Sequence, residues 1–377
     1  MSDTDDRFEH AKALFFEGLA SFEAGRFADA QTQFLASLER VPARVSTLIN
    51  LAGTQLKLAR AADALRTTDQ ILTLEPDNLD AWFHRGNALA QLGRPEEALA
   101  AFERTLALDP ALGAAWSHRG GILREMNRLD EAAECFRQAL AYGADAELNG
   151  YYLAAVGAAS AKDSPATAPR QYVQALFDDY AGQFDAHLVG VLKYQAHEVL
   201  VRHLAALGHA PFASALDLGC GTGLCGPLVK PLLAPGAARL VGVDLSAPML
   251  ERARALGVYD ELLQADIVEH LRRTGPRHDL VLAADVFIYV GDMAPVFDAL
   301  DRVIDSGGVF CLSAELAGPT CTTGFELQPS LRYAHTPEYL LALAAQHGFE
   351  ALLMKREPIR KDQREPIDGL FVYLRKR

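Results

Sequence analysis

Apolar residues along this chain keep two different rhythms, and the change falls near the middle. Through residues 8–158 they recur at helical spacing, and the pattern returns about every 34 residues. The segment NLDAWFHRGNALAQLGRPEEALAAFERTLALDP, ending at Pro110, falls into register with AWSHRGGILREMNRLDEAAECFRQAL. Trp82 then matches Trp116, Gly86 matches Gly120, Ala98 matches Ala132 and Phe102 matches Phe136. Residues 45–78 form an earlier copy with Leu48, Ala52, Ala64 and Pro76 in the same slots. Residues 11–44 form another, with Leu14, Gly18, Ala30, Phe34 and Pro42. Each copy reads as two helices. Small residues at the Gly86 and Ala98 slots let the two approach closely, while Phe102 and Trp82 fill the space between successive copies. Pro110 ends the second helix because it cannot continue it. Gly25 and Gly93 stand where the first helix must stop in a left-handed conformation. The stretch ELNGYYLAAVGAA reads as a terminal helix that caps the apolar face.

The second rhythm begins at residue 213, where short apolar runs alternate with helical stretches, the signature of a parallel α/β sheet. SALDLGCGTG is a strand entering a glycine-rich turn; RLVGVDLS ends in Asp244, and YDELLQAD ends in Asp266. HDLVLAADVFIYV is a buried fourth strand with its exit loop, and GGVFCLSAE is a fifth. FEALLMKRE and DGLFVYLRK are expected as an antiparallel edge pair, and SLRYAHTPEY as a loop before the helix PEYLLALAAQHG. Between the two rhythms, residues 159–170 read as a Ser/Ala/Pro-rich linker, and residues 171–377 as the second domain. Leu188, Val191, Leu192, Val199, Leu200 and Leu204 place two helices ahead of the sheet.

Size and charge narrow the reading. With 377 residues, half of them hydrophobic, the chain can build two cores without disulfides or metals. A net charge of −13 argues against nucleic acid as a partner. The five cysteines (Cys135, Cys220, Cys225, Cys311 and Cys321) show no zinc-site spacing and read as reduced thiols. The acidic start, MSDTDDRFEH, has no signal-peptide character, and no later run is apolar enough to span a bilayer. A cytoplasmic location is the expectation, with no membrane partner.

The repeat resembles the tetratricopeptide family over residues 8–146, which implies a concave groove that binds a protein or peptide. Phe16, Asn50, His84 and His118 occupy one column of that groove, with Lys57, Asn87 and Arg124 nearby. The plainer alternative for the two histidines is a solvated helical surface. No complete set of Lys and Asn suited to clamping an acidic C-terminus is present, so the partner stays unnamed.

Gly219, Gly221 and Gly223 follow a strand, where absent side chains let backbone approach a ligand, and Asp244 can accept both hydroxyls of a ribose. Either a dinucleotide or S-adenosylmethionine fits so far. Asp217 before the glycines suits a cationic amino group better than a pyrophosphate. The spacing is G-x-G-x-G, with Leu224 where the dinucleotide form has its third glycine, and Asp266 ends a third strand. LDLGCGTG, GVDLS and QAD, in that order, resemble class I S-adenosylmethionine-dependent methyltransferases, implying a Rossmann-like seven-stranded domain after the all-helical solenoid. The strings LFDDYAGQFDAHLV and ADVFIYVGD make the whole chain similar to bacterial methyltransferases fused to tetratricopeptide repeats.

By that resemblance, Gly219, Cys220 and Gly221 line the methionine end of the cofactor, with Asp217 near its amino group, and Gly223 belongs to the same cofactor-binding turn. Asp244 holds the ribose, Leu245 and Met249 border the adenine, and Asp266 meets its amino group beside Ile267. Ala283 and Ala284 border the sulfonium. Tyr172, Tyr180 and Phe184 are lid candidates, with a plain hydrophobic helix face as the alternative. Methyl transfer requires alignment and exclusion of water, and a base only when the nucleophile is protonated. Asp285, Tyr289 and His335 are the catalytic candidates, with Glu315 beside them. Asp285 has the alternative role of capping a turn. Arg332, Tyr333 and His335 could bind an anionic acceptor. The fourth strand reads AADVFIYV, without the Pro-Pro-aromatic string or Pro-Cys pair of enzymes that methylate DNA bases.

Three readings follow: a protein methyltransferase whose repeats recruit the target, a small-molecule carboxylate or hydroxyl methyltransferase whose repeats serve assembly, or a scaffold with a vestigial cofactor site. The intact set of Asp217, Gly219, Gly221, Gly223, Asp244 and Asp266 speaks against the scaffold.

Overall fold

A computed structural model describes residues 3–158, 165–182, 184, 190, 192–236, 238–273, 275–362 and 365–377. The chain divides into two compact units, Met1–Ser160 and Ala161–Arg377.

The first unit is a run of antiparallel helix pairs: α1 (Asp3–Glu23) with α2 (Phe27–Arg40), α3 (Val45–Lys57) with α4 (Ala61–Leu74), α5 (Leu79–Gln91) with α6 (Pro95–Leu108), and α7 (Gly113–Glu125) with α8 (Leu129–Ala141). A ninth helix, α9 (Ala146–Ala155), follows and packs on α8. The small-residue slots have a direct steric cause. A Cβ added at Gly18, Gly86 or Gly120 would lie 2.5–2.8 Å from Phe34, Phe102 or Phe136, each fully buried. The second pair fills the same two slots with Ala52 and Thr68, both sealed; a larger first residue is matched by a smaller second. Trp82 Nε1 donates to the Pro76 carbonyl and Trp116 Nε1 to Pro110, the same bond one repeat on. Arg85 pairs with Asp69 and Arg119 with Glu103 across successive pairs in the same way.

The second unit opens with α10 (Arg170–Tyr180) and α11 (Ala196–Ala206). Residues 165–168, assigned to the linker from composition, are bonded into this unit: Ala168 N donates to Tyr289 O, and the amides of Gly291 and Asp292 to Ala166 O. Five parallel strands follow, β1 (Ser214–Leu218), β2 (Arg239–Asp244), β3 (Glu261–Gln264), β4 (His278–Ala283) and β5 (Ile304–Leu316), in the order β3-β2-β1-β4-β5. The short helices α12 (Gly226–Val229), α13 (Ala247–Ala255), α14 (Ile267–Arg272) and α15 (Ala294–Leu300) connect them. Alternation along β1 sends Leu216 and Leu218 into one apolar core and Ala215 into the other, one on each sheet face.

Two further pairs complete the sheet, one of them unforeseen. β8 (Phe349–Asp362) and β9 (Glu365–Lys376) are antiparallel as expected, but β9 lies inside, paired to β5 from Val309 to Glu315, and β8 is the edge. SLRYAHTPEY is not simply a loop. It contributes β7 (Tyr333–His335), paired antiparallel with β6 (Phe325–Leu327) and parallel to the end of β5, before α16 (Pro337–Gln346). At Glu315, β5 holds Gly369 of β9 on one edge and Ala334 of β7 on the other. β7 therefore runs on the β4 side of β5, past the point where β4 ends, and the hairpin caps the β4 exit. A Cβ at Gly291 in that exit would lie 2.6 Å from Tyr333, so the hairpin rests directly on it. Among the described residues no helix is long and apolar enough to cross a membrane.

Candidate functional site

The turn after β1 is tied to its neighbour by Cys220 N donating to Val243 O at 3.0 Å, and closed by Gly223 N to Cys220 O at 2.8 Å. Gly219, Gly221 and Gly223 all have left-handed φ, at 63°, 54° and 90°. Their surroundings separate their roles. A Cβ at Gly219 would strike Val286 at 2.5 Å, and one at Gly223 would crowd Leu256 and Tyr259 at 3.0 Å. At Gly221 it would meet open space. Two of the glycines serve close packing; the middle one has open space beside it.

Asp244, at the end of β2, is 9% exposed and holds this turn: Oδ2 accepts from Gly221 N at 2.8 Å and Oδ1 from Ser246 N at 2.9 Å. Burial raises its pKa, against the pull of those backbone donors. Asp266 caps α14, its Oδ1 accepting from the amides of Val268 and Glu269. Its other oxygen makes no hydrogen bond among the described residues. Leu245 and Ile267 are half-buried beside these acids.

Two assignments from resemblance change here. Asp217 is 1% exposed, and its Oδ2 accepts from the Tyr259 hydroxyl at 2.6 Å, so it braces the turn from beneath instead of offering a carboxylate to the cleft. Burial lifts its pKa to about 7. Met249 is sealed in the interior and cannot border a ligand at this surface, which leaves Leu245. Cys220 is nearly buried, Ala283 is sealed and Ala284 half-buried.

α10 lies across the strand ends. Arg170 pairs with Glu269 of α14, Asp178 accepts from Ser246 Oγ at 2.6 Å, and Phe177 meets the Tyr289 ring edge-on at 5.6 Å. Phe184 packs on Tyr180 at 5.3 Å, and Tyr172 is half-buried on the same helix. Tyr172 and Tyr180 thus sit on a helix tied down after β2, β3 and β4, and Phe184 follows that helix.

At the end of the neighbouring strand, Asp285 follows β4 with a left-handed φ of 59°, unusual for a residue with a side chain, and donates its amide to Ser313 Oγ. Its carboxylate pairs at 3.2 Å with Arg360 of β8, which also binds Glu315 of β5. Arg360 and Glu315 are 3% exposed. Burial works against the Arg360 charge, but the two acids outweigh it and push its pKa up; burial raises that of Glu315 despite Arg360. Arg360 escaped notice in the sequence because β8 carries other charges on both sides of it. Tyr289 is raised by burial and held back by Arg332.

His335 does not join this group as a base. It is 0% exposed on β7, its Nε2 lies 3.0 Å from the Gly291 carbonyl, and burial lowers its pKa to about 4. Tyr333 is likewise buried, its hydroxyl donating to Pro165 O at 2.7 Å.

Residues 216–312 match the family model described as Methyltransferase domain, and residues 56–115 and 113–142 match models described as Tetratricopeptide repeat. The chain joins tetratricopeptide repeats to a methyltransferase domain. It is 36% identical over 118 residues to a trans-aconitate 2-methyltransferase of Paracidovorax citrulli, covering 31% of this chain and 43% of that protein. It is 30% identical over 149 residues to a malonyl-(acyl-carrier protein) O-methyltransferase of Pseudescherichia vulneris, covering 40% and 55%. The chain thus spans about half the length of the curated relatives it matches. A solved 1,6-didemethyltoxoflavin-N1-methyltransferase of Burkholderia thailandensis aligns at 19% identity and a TM-score of 0.43, over 56% of this chain and 92% of that one.

In the tetratricopeptide unit, His84 and His118 are not simply solvated. His118 is exposed, yet its ring stacks on Phe102 at 5.9 Å and meets Phe83 edge-on at 5.3 Å. His84 is half-buried beside Phe83. Desolvation lowers both pKa values, and the Lys57 charge adds to it at His118. Phe16 is 56% exposed in the same column. Asn50 is occupied with the Ser46 carbonyl of its own helix, and Arg124 is half-buried.

Proposed function

We propose that this chain transfers a methyl group from S-adenosylmethionine, and that its repeats recruit a protein or peptide partner, the first candidate for the acceptor. The observation that carries the cofactor half is the Gly221–Asp244 bond at a turn whose middle glycine faces open space. Gly219, Cys220, Gly221 and Gly223 would receive the methionine end, Asp244 the ribose hydroxyls, and Asp266 with Leu245 and Ile267 the adenine. Ala284 would flank the sulfonium, with the sealed Ala283 behind it, and Tyr172 and Tyr180 would close over it. When bound, that cofactor supplies an activated methyl group. The chain's residues orient the acceptor and exclude water.

The recruitment half rests on the concave column of Phe16, Asn50, His84 and His118. A second reading, a small-molecule acceptor with repeats used for assembly, draws support from relatives whose printed names are those of acid and acyl-carrier-protein methyltransferases. Both readings place the protein in the cytoplasm. Calorimetric titration of S-adenosylmethionine into the full chain, beside Asp244→Ala, tests the cofactor site. Micromolar binding that the variant weakens at least tenfold is the expected result. No binding to folded wild-type protein would return the repeats to the scaffold reading.

A further inference from the structure

Three cationic or basic groups stand around the β4 exit, and two of them are spoken for. Arg360 is buried between Asp285 and Glu315. His335 is sealed against the Gly291 carbonyl. Arg332 differs. It is half-buried in the turn between β6 and β7, and no carboxylate lies within ion-pair distance of it among the described residues. Its side chain hydrogen-bonds to that of Tyr289, and its charge is felt at Tyr180 and Glu315, which places it at the β4 exit. The turn holds it firmly, since Gln328 N donates to Arg332 O at 2.9 Å and Leu331 N to Gln328 O at 2.9 Å. A guanidinium carried on such a turn, hydrogen-bonded to a phenol and with no carboxylate paired to it among the described residues, is a ready receptor for a carboxylate.

We propose that the methyl acceptor is a carboxylate, bound by Arg332 beside Tyr289 and Tyr180 and methylated on oxygen. This inference rests on the methyltransferase reading and narrows it. A second observation supports it independently. Asp285 and Glu315 are tied to Arg360, and His335 is walled off, so no named base is free to deprotonate an alcohol or ammonium. A carboxylate needs none. Its oxygen donates an electron pair to the methyl carbon as the S–CH3 bond breaks. The sulfur keeps that bond's electrons and becomes a neutral thioether, a C–O bond forms, and no proton moves. Arg332 and Asp285 then have separate tasks: one binds the acceptor anion, the other belongs to the buried frame.

A small acid and a polypeptide both offer such a carboxylate, and the test separates them. Full-length protein is incubated with methyl-labelled S-adenosylmethionine and, in one arm, succinate, glutarate or citrate. In the other arm it meets a Gly-Glu peptide with a free C-terminus. Methyl esters release labelled methanol in mild alkali, whereas N-methyl and ether products do not. The expected result is alkali-labile label in one arm, with Arg332→Leu raising KM for that acceptor at least tenfold and Arg332→Lys restoring part of the loss. Cofactor affinity measured by calorimetry should change less than twofold in both variants, which separates lost recognition from misfolding. Alkali-stable label, an unchanged KM in Arg332→Leu, or intact cofactor binding without transfer to any of these acids would overturn the proposal alone. Failure of wild-type protein to bind the cofactor would instead overturn the reading beneath it.

Discussion

An acid stands at or within two residues of the carboxyl end of each of the five parallel strands: Asp217, Asp244, Asp266, Asp285 and Glu315. Their surroundings give them different chemistry. Among the described residues Asp266 keeps one oxygen without a hydrogen bond, Asp244 shares its pair with backbone amides, and Asp285 and Glu315 neutralise Arg360. Asp217 is the extreme case, sealed under Tyr259 with its pKa lifted by burial from 3.8 to about 7. The sign of the consequence follows from proton binding. Between pH 3.8 and 7 the folded chain holds a proton that the unfolded chain has released, so this group's contribution to stability falls as pH rises through that window and is flat above it. Asp217→Asn keeps an acceptor for Tyr259 and removes the slope. At about 1.4 kcal/mol per pH unit, the variant should gain about 2.6 kcal/mol on wild type between pH 5 and 8 in cofactor-free protein. Native-state hydrogen exchange of the β1 and β4 amides measures this, and parallel pH profiles would show that the carboxylate is not held as described. The motif around Asp217 was legible from residue types and order; its partner was not, because Tyr259 comes from 42 residues along the chain and no local pattern links them.

Helix ends in the first unit show how a repeat tolerates a poor residue in a demanding slot. The second residue after each first helix is left-handed in all four pairs: Gly25 at φ 74°, Ala59 at 55°, Gly93 at 68° and Asn127 at 59°. Glycine and asparagine accept that conformation readily, and alanine does not. Ala59→Gly should therefore stabilise the array, by about 1 kcal/mol, and Gly93→Ala should destabilise it by a similar amount. At Gly93 nothing lies within 4 Å of an added Cβ, so the effect there is of the backbone alone. Both tryptophans, Trp82 and Trp116, belong to this unit, so urea unfolding followed by tryptophan fluorescence reports on it specifically. Equal midpoints for the two variants would refute the argument. These elements were readable because a period repeated four times averages out local exceptions such as Ala52 and Thr68. β6 and β7 were hidden for the opposite reason. They are three residues each, carry no alternation, and exist because β5 runs past the end of β4 and leaves an edge to be paired. The interior position of β9 likewise depends on which edge of β5 is free, a property of the assembled sheet and not of the strand.

At the scale of the whole chain, the question is what the repeats add to the chemistry. A cut at the composition-based boundary, Arg170, would be a poor test. It would remove residues 165–168, whose bonds to Tyr289, Gly291 and Asp292 belong to the methyltransferase unit, and would disturb the β4 exit for reasons unrelated to recruitment. A chain beginning at Ala161 keeps those bonds. Should the repeats recruit a polypeptide acceptor, this shortened chain should bind S-adenosylmethionine within about twofold of the full chain and lose at least tenfold in kcat/KM toward that polypeptide. Its kcat at saturating acceptor should be nearly unchanged, because recruitment raises local concentration and leaves the transfer step alone. The same comparison with a small carboxylic acid gives the contrast, for there recruitment has nothing to act on and the two chains should agree. Equal kcat/KM on a polypeptide would sink recruitment and leave the repeats with assembly. A shared loss on both acceptors would mean that the repeats support the catalytic unit itself. Each result is visible in the ratio of the two kcat/KM values, measured with one cofactor preparation at one ionic strength.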